Sequence, residues 1–193
     1  VLKVIDQAAR NCYQSKGNDT EAFIKSLLKR NHMTPFEMVD VRVKLVTDRG
    51  VMSEITRHRL ASFNIESTRY VNYKDGITVV MPVGLRYYKD IKDLYSKEGN
   101  EQYQRYQSFR RAIINAEEAY IEMLDAGCAP QIARSVLPNA LRTTIIMKAN
   151  LRNWLHIFKL RCSSGAHPQM QLLMKDLRDK FRERIPVIFD ESN

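Results

Sequence analysis

Residues 57–69 read Arg-His-Arg-Leu-Ala-Ser-Phe-Asn-Ile-Glu-Ser-Thr-Arg. Arg57, His58 and Arg59 set three cationic or potentially cationic groups side by side. Ser62, Asn64 and Ser67 add small polar donors, and Arg69 closes the run. Guanidinium forks meet phosphate oxygens and carbonyls in a planar, bidentate way. Hydroxyls and backbone N–H groups of an irregular loop supply further donors. The segment suits a grip on a phosphate and a heterocycle, and it is equally readable as a solvated basic helix end capped by Ser and Asn. His58 stands between two arginines, whose like charge disfavours its protonated form. It is expected to be neutral at physiological pH unless a ligand anion compensates. Ser67 has no general base identifiable from sequence, so a binding role is assigned rather than a nucleophilic one.

Elsewhere the chemistry-bearing residues have plain structural readings. Cys12, Cys128 and Cys162 are an odd number without close spacing, which forms neither a zinc pattern nor a disulfide framework. Each reads as a small core residue, Cys12 within an apolar helix. A reducing cytoplasm is the simplest compartment. No metal ligands are expected. His32 reads as a cap for the helix before it, His156 as a core histidine between Leu155 and Ile157, and His167 as part of a helix start before Pro168. Trp154 and the tyrosines of residues 101–126 read as core, and Arg152 and Arg161 as surface charges or ligand contacts.

These residues must be positioned by regular elements. Residues 18–31 predict a helix, with Asn18 and Glu21 at capping-box spacing and Phe23, Ile24, Leu27 and Leu28 as its apolar stripe. Pro35 breaks it within residues 32–37. Residues 38–47 predict a half-buried strand, because Val39, Val41, Val43 and Leu45 alternate with Asp40, Arg42 and Lys44. Residues 48–50 read as a turn, 51–60 as a helix, 61–76 as irregular, and 77–82 as a short strand. Residues 101–126 predict the longest helix, ended by Gly127. Pro130 opens a short helix that Pro138 interrupts. Residues 150–160 predict a helix with Leu151, Leu155 and Phe158 inward. Residues 168–184 predict the last, with Met170, Leu173, Leu177 and Phe181 inward and Pro186 beyond its end. At about 100° per residue Arg152 and His156 share a face, and Arg161 lies roughly 140° further round. Strands and helices do not alternate as parallel units would. The expected class is α+β, a small, mainly antiparallel sheet packed with several helices.

The 193 residues suit one domain spanning 1–193. Val1 is compatible with further residues ahead of it. Hydrophobic residues are 44% and charged residues 27%, an ordinary globular balance. No apolar run approaches the roughly 20 residues of a membrane span, and no signal peptide is visible. The net charge of +9 favours anionic partners, from nucleic acid to phosphorylated small molecules. The densest basic stretch, residues 178–184, is interleaved with acids as a solvated helix face would be.

Residues 57–69 match every fixed position of the RHRxxSxNxxSxR signature, and the chain resembles the flavin-dependent thymidylate synthases. Ala8–Tyr13 is similar to that family's early AAR segment. His32-Met33-Thr34-Pro35-Phe36-Glu37 is similar to its HxTPFE loop. Ala133-Arg134 with Leu137-Pro138, then Asn150-Leu151-Arg152 and Leu160-Arg161, resembles its C-terminal nucleotide-binding half. The resemblance implies reductive methylation of dUMP to dTMP. Methylenetetrahydrofolate would donate the carbon and NADPH, through FAD, the electrons, with tetrahydrofolate released and no cysteine attached to the uracil.

By the same resemblance, Thr34, Arg57, His58, Arg59, Asn150, Arg152 and His156 would bind FAD, with His32 nearby. Glu54, Arg57, Glu66, Ser67, Thr68, Arg69, Arg134 and Arg161 would bind dUMP, Arg134 from a neighbouring subunit. Arg161 would carry the catalytic role, favouring ionisation of the uracil at N3. The family implies a homotetramer with active sites shared between subunits, small-molecule substrates, and neither nucleic acid nor membrane as partner. Three positions depart from the family pattern. Ile65 stands where many members carry Glu, with Glu66 after it; Glu54 replaces a frequent Gln; His156 replaces a frequent Asn. Two rivals remain at this point. A uracil methylase acting on RNA would need a contiguous basic groove with stacking aromatics. A nucleic-acid-binding domain would show a steep salt dependence and no flavin.

Overall fold

The structure, a computed structural model, describes residues 1–85 and 95–190. It is α+β, as expected. Helices α1 (Leu2–Tyr13) and α2 (Thr20–Lys29) precede a 3-10 segment at Thr34–Met38 and strand β1 (Asp40–Asp48). Helix α3 (Arg49–Ile55), strand β2 (Ser62–Ile65), the long α4 (Lys97–Asp125) and the short α5 (Pro130–Ala133) follow. A 3-10 turn at Arg134–Val136 leads into β3 (Arg142–Asn150), then α6 (Leu151–Arg161), α7 (Pro168–Arg184) and α8 (Pro186–Phe189). The three strands form one antiparallel sheet in the order β1-β3-β2.

The chain divides into two compact units. The first holds Val1–Lys44, Thr56–Asn64 and Ile146–Asn193. Its core is aromatic. Trp154 is fully buried; its ring centroid lies 5.6 Å from Phe158 and 5.2 Å from Phe181. Phe189 of α8 meets Phe158 at 5.8 Å and Phe181 at 5.0 Å, both edge to face, an arrangement aromatic quadrupoles favour. The Trp154 indole N–H donates to the Val41 carbonyl at 3.2 Å, which satisfies the one polar atom of that side chain. Asn31, at φ 56°, closes α2. The Asn31 and His32 N–H groups donate to the Leu28 and Leu27 carbonyls, the paired bonds of a Schellman ending. His32 thus caps the helix through its backbone. The start of α2 lies one residue later than the spacing suggests: Asp19, not Asn18, accepts from Ala22 N–H at 2.9 Å.

The second unit holds Leu45–Ile55 and Ile65–Ile145. Tyr106 and Tyr120 of α4 are buried, as expected of core tyrosines, whereas Tyr103, expected in the same stripe, is exposed near the start of the helix; Gly127 follows that helix at φ 87°. The residues read as a turn, Arg49 and Gly50, instead open α3, because the Asp48 carboxylate accepts from Val51 N–H at 2.7 Å and caps it. That helix stops at Ile55 rather than Leu60. Residues 77–82 form no strand; one antiparallel bridge joins Val79 to Leu141, and Pro82 has no N–H to extend a ladder. Strands β2 and β3 and the short helix α8 lie outside the expected elements. Strand β2 lies in the stretch taken as irregular, and β3 is the central strand of the sheet. Cys12, read as buried, is exposed.

Candidate functional site

The first unit gathers one set of the expected residues around α6. Asn150 caps that helix, its side chain accepting from Asn153 N–H at 2.9 Å. Asn153, buried, donates to the Leu60 carbonyl at 2.9 Å and so ties the Arg57-His58-Arg59 segment to the helix start. Asn150, Arg152, Asn153 and His156 then line an open cleft of about 520 Å³ with Glu37 and Leu60. Such a volume is ordinary for a small-molecule site. Arg152 is ion-paired to Glu37, which the 3-10 segment brings to it. Thr34 opens that segment and is exposed.

His58 is only 8% exposed. Its Nε2 accepts the Nε–H of Arg161 at 2.9 Å. Burial, reinforced by the charges of Arg161 and His156, lowers its pKa to about 4. The imidazole is therefore neutral, as expected, but burial leads where the neighbouring Arg57 and Arg59 were expected to. Those two arginines are exposed and form no ion pair among the described residues.

The second unit gathers the other set. Glu66 N–H donates to the Thr144 carbonyl at 3.0 Å, which fixes the segment after β2 against β3. Arg134 Nη1 donates to Oγ1 of buried Thr68 at 3.2 Å. Arg69 reaches Gln131 Oε1 at 3.4 Å, and its own N–H meets Ser67 Oγ at 3.3 Å. Ser67, Thr68, Arg69 and Arg134 thus share one surface, rich in donors and carrying two exposed guanidiniums. Glu54 lies on α3, half-buried.

Some participants had no sequence signal of their own. Glu37 stood inside the HMTPFE segment without a role. Tyr73, whose phenol donates to Glu66 Oε1 at 2.9 Å, and Gln131 stood outside every motif. Among the described residues no group of His, Cys, Asp and Glu could hold a metal ion. No helix among them is long and apolar enough to cross a membrane.

The α+β fold thus carries two arginine-bearing sets of donors, one of them beside a cleft. The chain belongs to the thymidylate synthase complementing protein family, which matches residues 2–187. It is similar to the flavin-dependent thymidylate synthase of Geobacter sulfurreducens, 29% identical over 197 residues that cover 96% of this chain and 79% of the relative. A protein of the same name from Thermosipho africanus is 30% identical over 95% of this chain and 82% of its own length. One from Haloarcula marismortui is 29% identical over 88% and 74%.

Proposed function

We propose that this protein is a flavin-dependent thymidylate synthase that converts dUMP to dTMP. Methylenetetrahydrofolate and NADPH are the co-substrates of this reading. The observation that carries it is the family match over residues 2–187, in a chain whose fold groups the matched arginines into two sets.

The first set fits a flavin nucleotide. Exposed Arg57 and Arg59 can meet its phosphates. Asn150, Arg152 and His156 offer donors and acceptors along the cleft, and Thr34 and His58 complete the set. Bound there, FAD would supply the redox chemistry that side chains lack. Arg152 would then share its guanidinium between the ligand and Glu37.

Ser67, Thr68, Arg69 and Arg134, with Arg57, Glu54 and Glu66, would hold dUMP. Arginine forks match the phosphate, and Ser67 and the backbone N–H of Thr68 add neutral donors, the Glu66 N–H being held by the Thr144 carbonyl. Arg161 would pair with the uracil and favour its N3-ionised form, which activates the ring. Its Nε–H is held by His58, which fixes the plane of the guanidinium. We further propose that the chain works as one thymidylate synthase domain, in a cytoplasmic homotetramer whose subunits share each site.

The test is direct. The purified protein should be yellow and should turn dUMP into dTMP when given methylenetetrahydrofolate and NADPH. A colourless protein that binds no flavin and forms no dTMP would overturn the reading.

A further inference from the structure

Within the second unit, the Tyr73 side chain is more constrained than its half-exposed position requires. Its backbone N–H donates to the Tyr120 hydroxyl at 3.3 Å. Its ring meets that of Tyr120 edge to face, with centroids 6.0 Å apart and planes at 69°. Tyr120 is itself fully buried on α4, so Tyr73 is anchored by backbone and by ring to a rigid helix. The phenol then donates to Glu66 Oε1 at 2.9 Å.

Glu66 is therefore held from both ends, its N–H on the Thr144 carbonyl and one carboxylate oxygen on Tyr73. The other oxygen, Oε2, has no protein partner among the described residues. Burial raises the Tyr73 pKa above the usual phenol range. The hydrogen bond and charge of Glu66 add to this and the Arg49 charge opposes it, so the phenol remains a donor at neutral pH.

A carboxylate beside Ser67, Thr68 and Arg69 would repel a nucleotide's phosphate. What it can accept is a neutral donor, and a hydroxyl hydrogen bond to an ionised acceptor is among the stronger kinds. We propose that Tyr73 is a positioning residue that orients the Glu66 carboxylate so that Oε2 accepts the 3′-hydroxyl of the nucleotide sugar. This rests on the reading of dUMP as substrate. It makes Tyr73 and Glu66 a specificity pair for the sugar, distinct from the arginines that take the phosphate.

The test compares dUMP with its 2′,3′-dideoxy counterpart by calorimetric titration into the flavin-loaded full chain. Wild type, Tyr73→Phe, Glu66→Ala and the double variant are measured. Wild type should bind dUMP about tenfold more tightly than the dideoxy nucleotide, the scale of one hydrogen bond to a charged group. Tyr73→Phe keeps the ring and the backbone bond to Tyr120, and should reduce that ratio to about twofold or less. Glu66→Ala should do the same, and Tyr73→Phe should then have no further effect on the ratio. A wild-type ratio near one overturns the proposal. So does a Tyr73→Phe ratio equal to the wild-type value, or a Tyr73→Phe effect that persists undiminished without Glu66. The Glu66→Ala ratio decides the matter alone if Tyr73→Phe fails to fold. Failure of wild type to convert dUMP would instead sink the functional reading, which a changed ratio leaves standing.

Discussion

Arg161 donates its Nε–H to Nε2 of His58 across 2.9 Å, although 103 positions separate the two in the chain. The bond requires an unprotonated Nε2, so the single ring proton sits on Nδ1 and the imidazole is neutral.

The pair makes stability depend on acid in a defined interval. The folded pKa of His58 is about 4, below the ordinary 6.5, so the unfolded chain takes up the proton first. The contribution is complete above pH 6.5 and is lost as pH falls toward 4. Urea unfolding followed by circular dichroism should show wild type losing on the order of 1–2 kcal/mol more than His58→Gln between pH 7.5 and pH 5. Equal losses in the two proteins would contradict a buried neutral His58.

Flavin binding should be nearly indifferent to the same residue near neutrality. With its pKa near 4, His58 carries no proton to gain or lose between pH 6.5 and 8. Titrating FAD into apoprotein across that range should give closely similar affinities in wild type and His58→Gln when each is compared with itself. A steep fall in wild type with rising pH, abolished by the substitution, would mean that FAD recruits a proton to the ring.

Arg134 and Arg161 should separate the two ligands. Replacing either with Ala should weaken dUMP binding by about 1.5–3 kcal/mol, roughly 10- to 150-fold, and FAD binding much less. Arg134→Ala also leaves Thr68 Oγ1 without its present donor. Equal losses for both ligands, or unchanged dUMP affinity, would reject the assignment.

The active species should sediment as a tetramer. The expected FAD and dUMP residues fall on separate segments of the chain, and the resemblance places Arg134 of one subunit in the site of another. Full activity in a monomer peak would refute this.

Where the sequence pattern was strong, elements were legible. The β1 alternation, the α6 and α7 stripes and the Gly127 ending all appear close to their expected positions. Strand β3 escaped notice although Thr143, Ile145, Met147 and Ala149 are all buried at period two. The pattern is blurred by Ile146, an exposed apolar residue, and by the small or polar Thr143 and Ala149. Strand β2, Ser-Phe-Asn-Ile, is too short and polar to stand out, and pairing gives it its form. Asp48-Arg49-Gly50 has the composition of a turn, yet the same Asp serves as a helix cap, and local chemistry alone does not decide between the two. In the site, residue types were readable and pairings were not. Nothing in the spacing of His58 and Arg161, or of Glu66 and Tyr73, announces that they touch, since those contacts come from how the chain returns on itself.

Trp154 is the chain's sole tryptophan, and it lies sealed in the aromatic core two residues after Arg152 and two before His156. All indole fluorescence of these 193 residues therefore originates at one point on the helix that carries Arg152 and His156, the side chains proposed to meet the flavin. Its emission should be blue-shifted in the folded state and move to the red on unfolding. A flavin seated along that helix would accept the excitation energy and quench it. On the proposed flavin placement, the protein would carry a built-in optical probe of cofactor occupancy, with no label required.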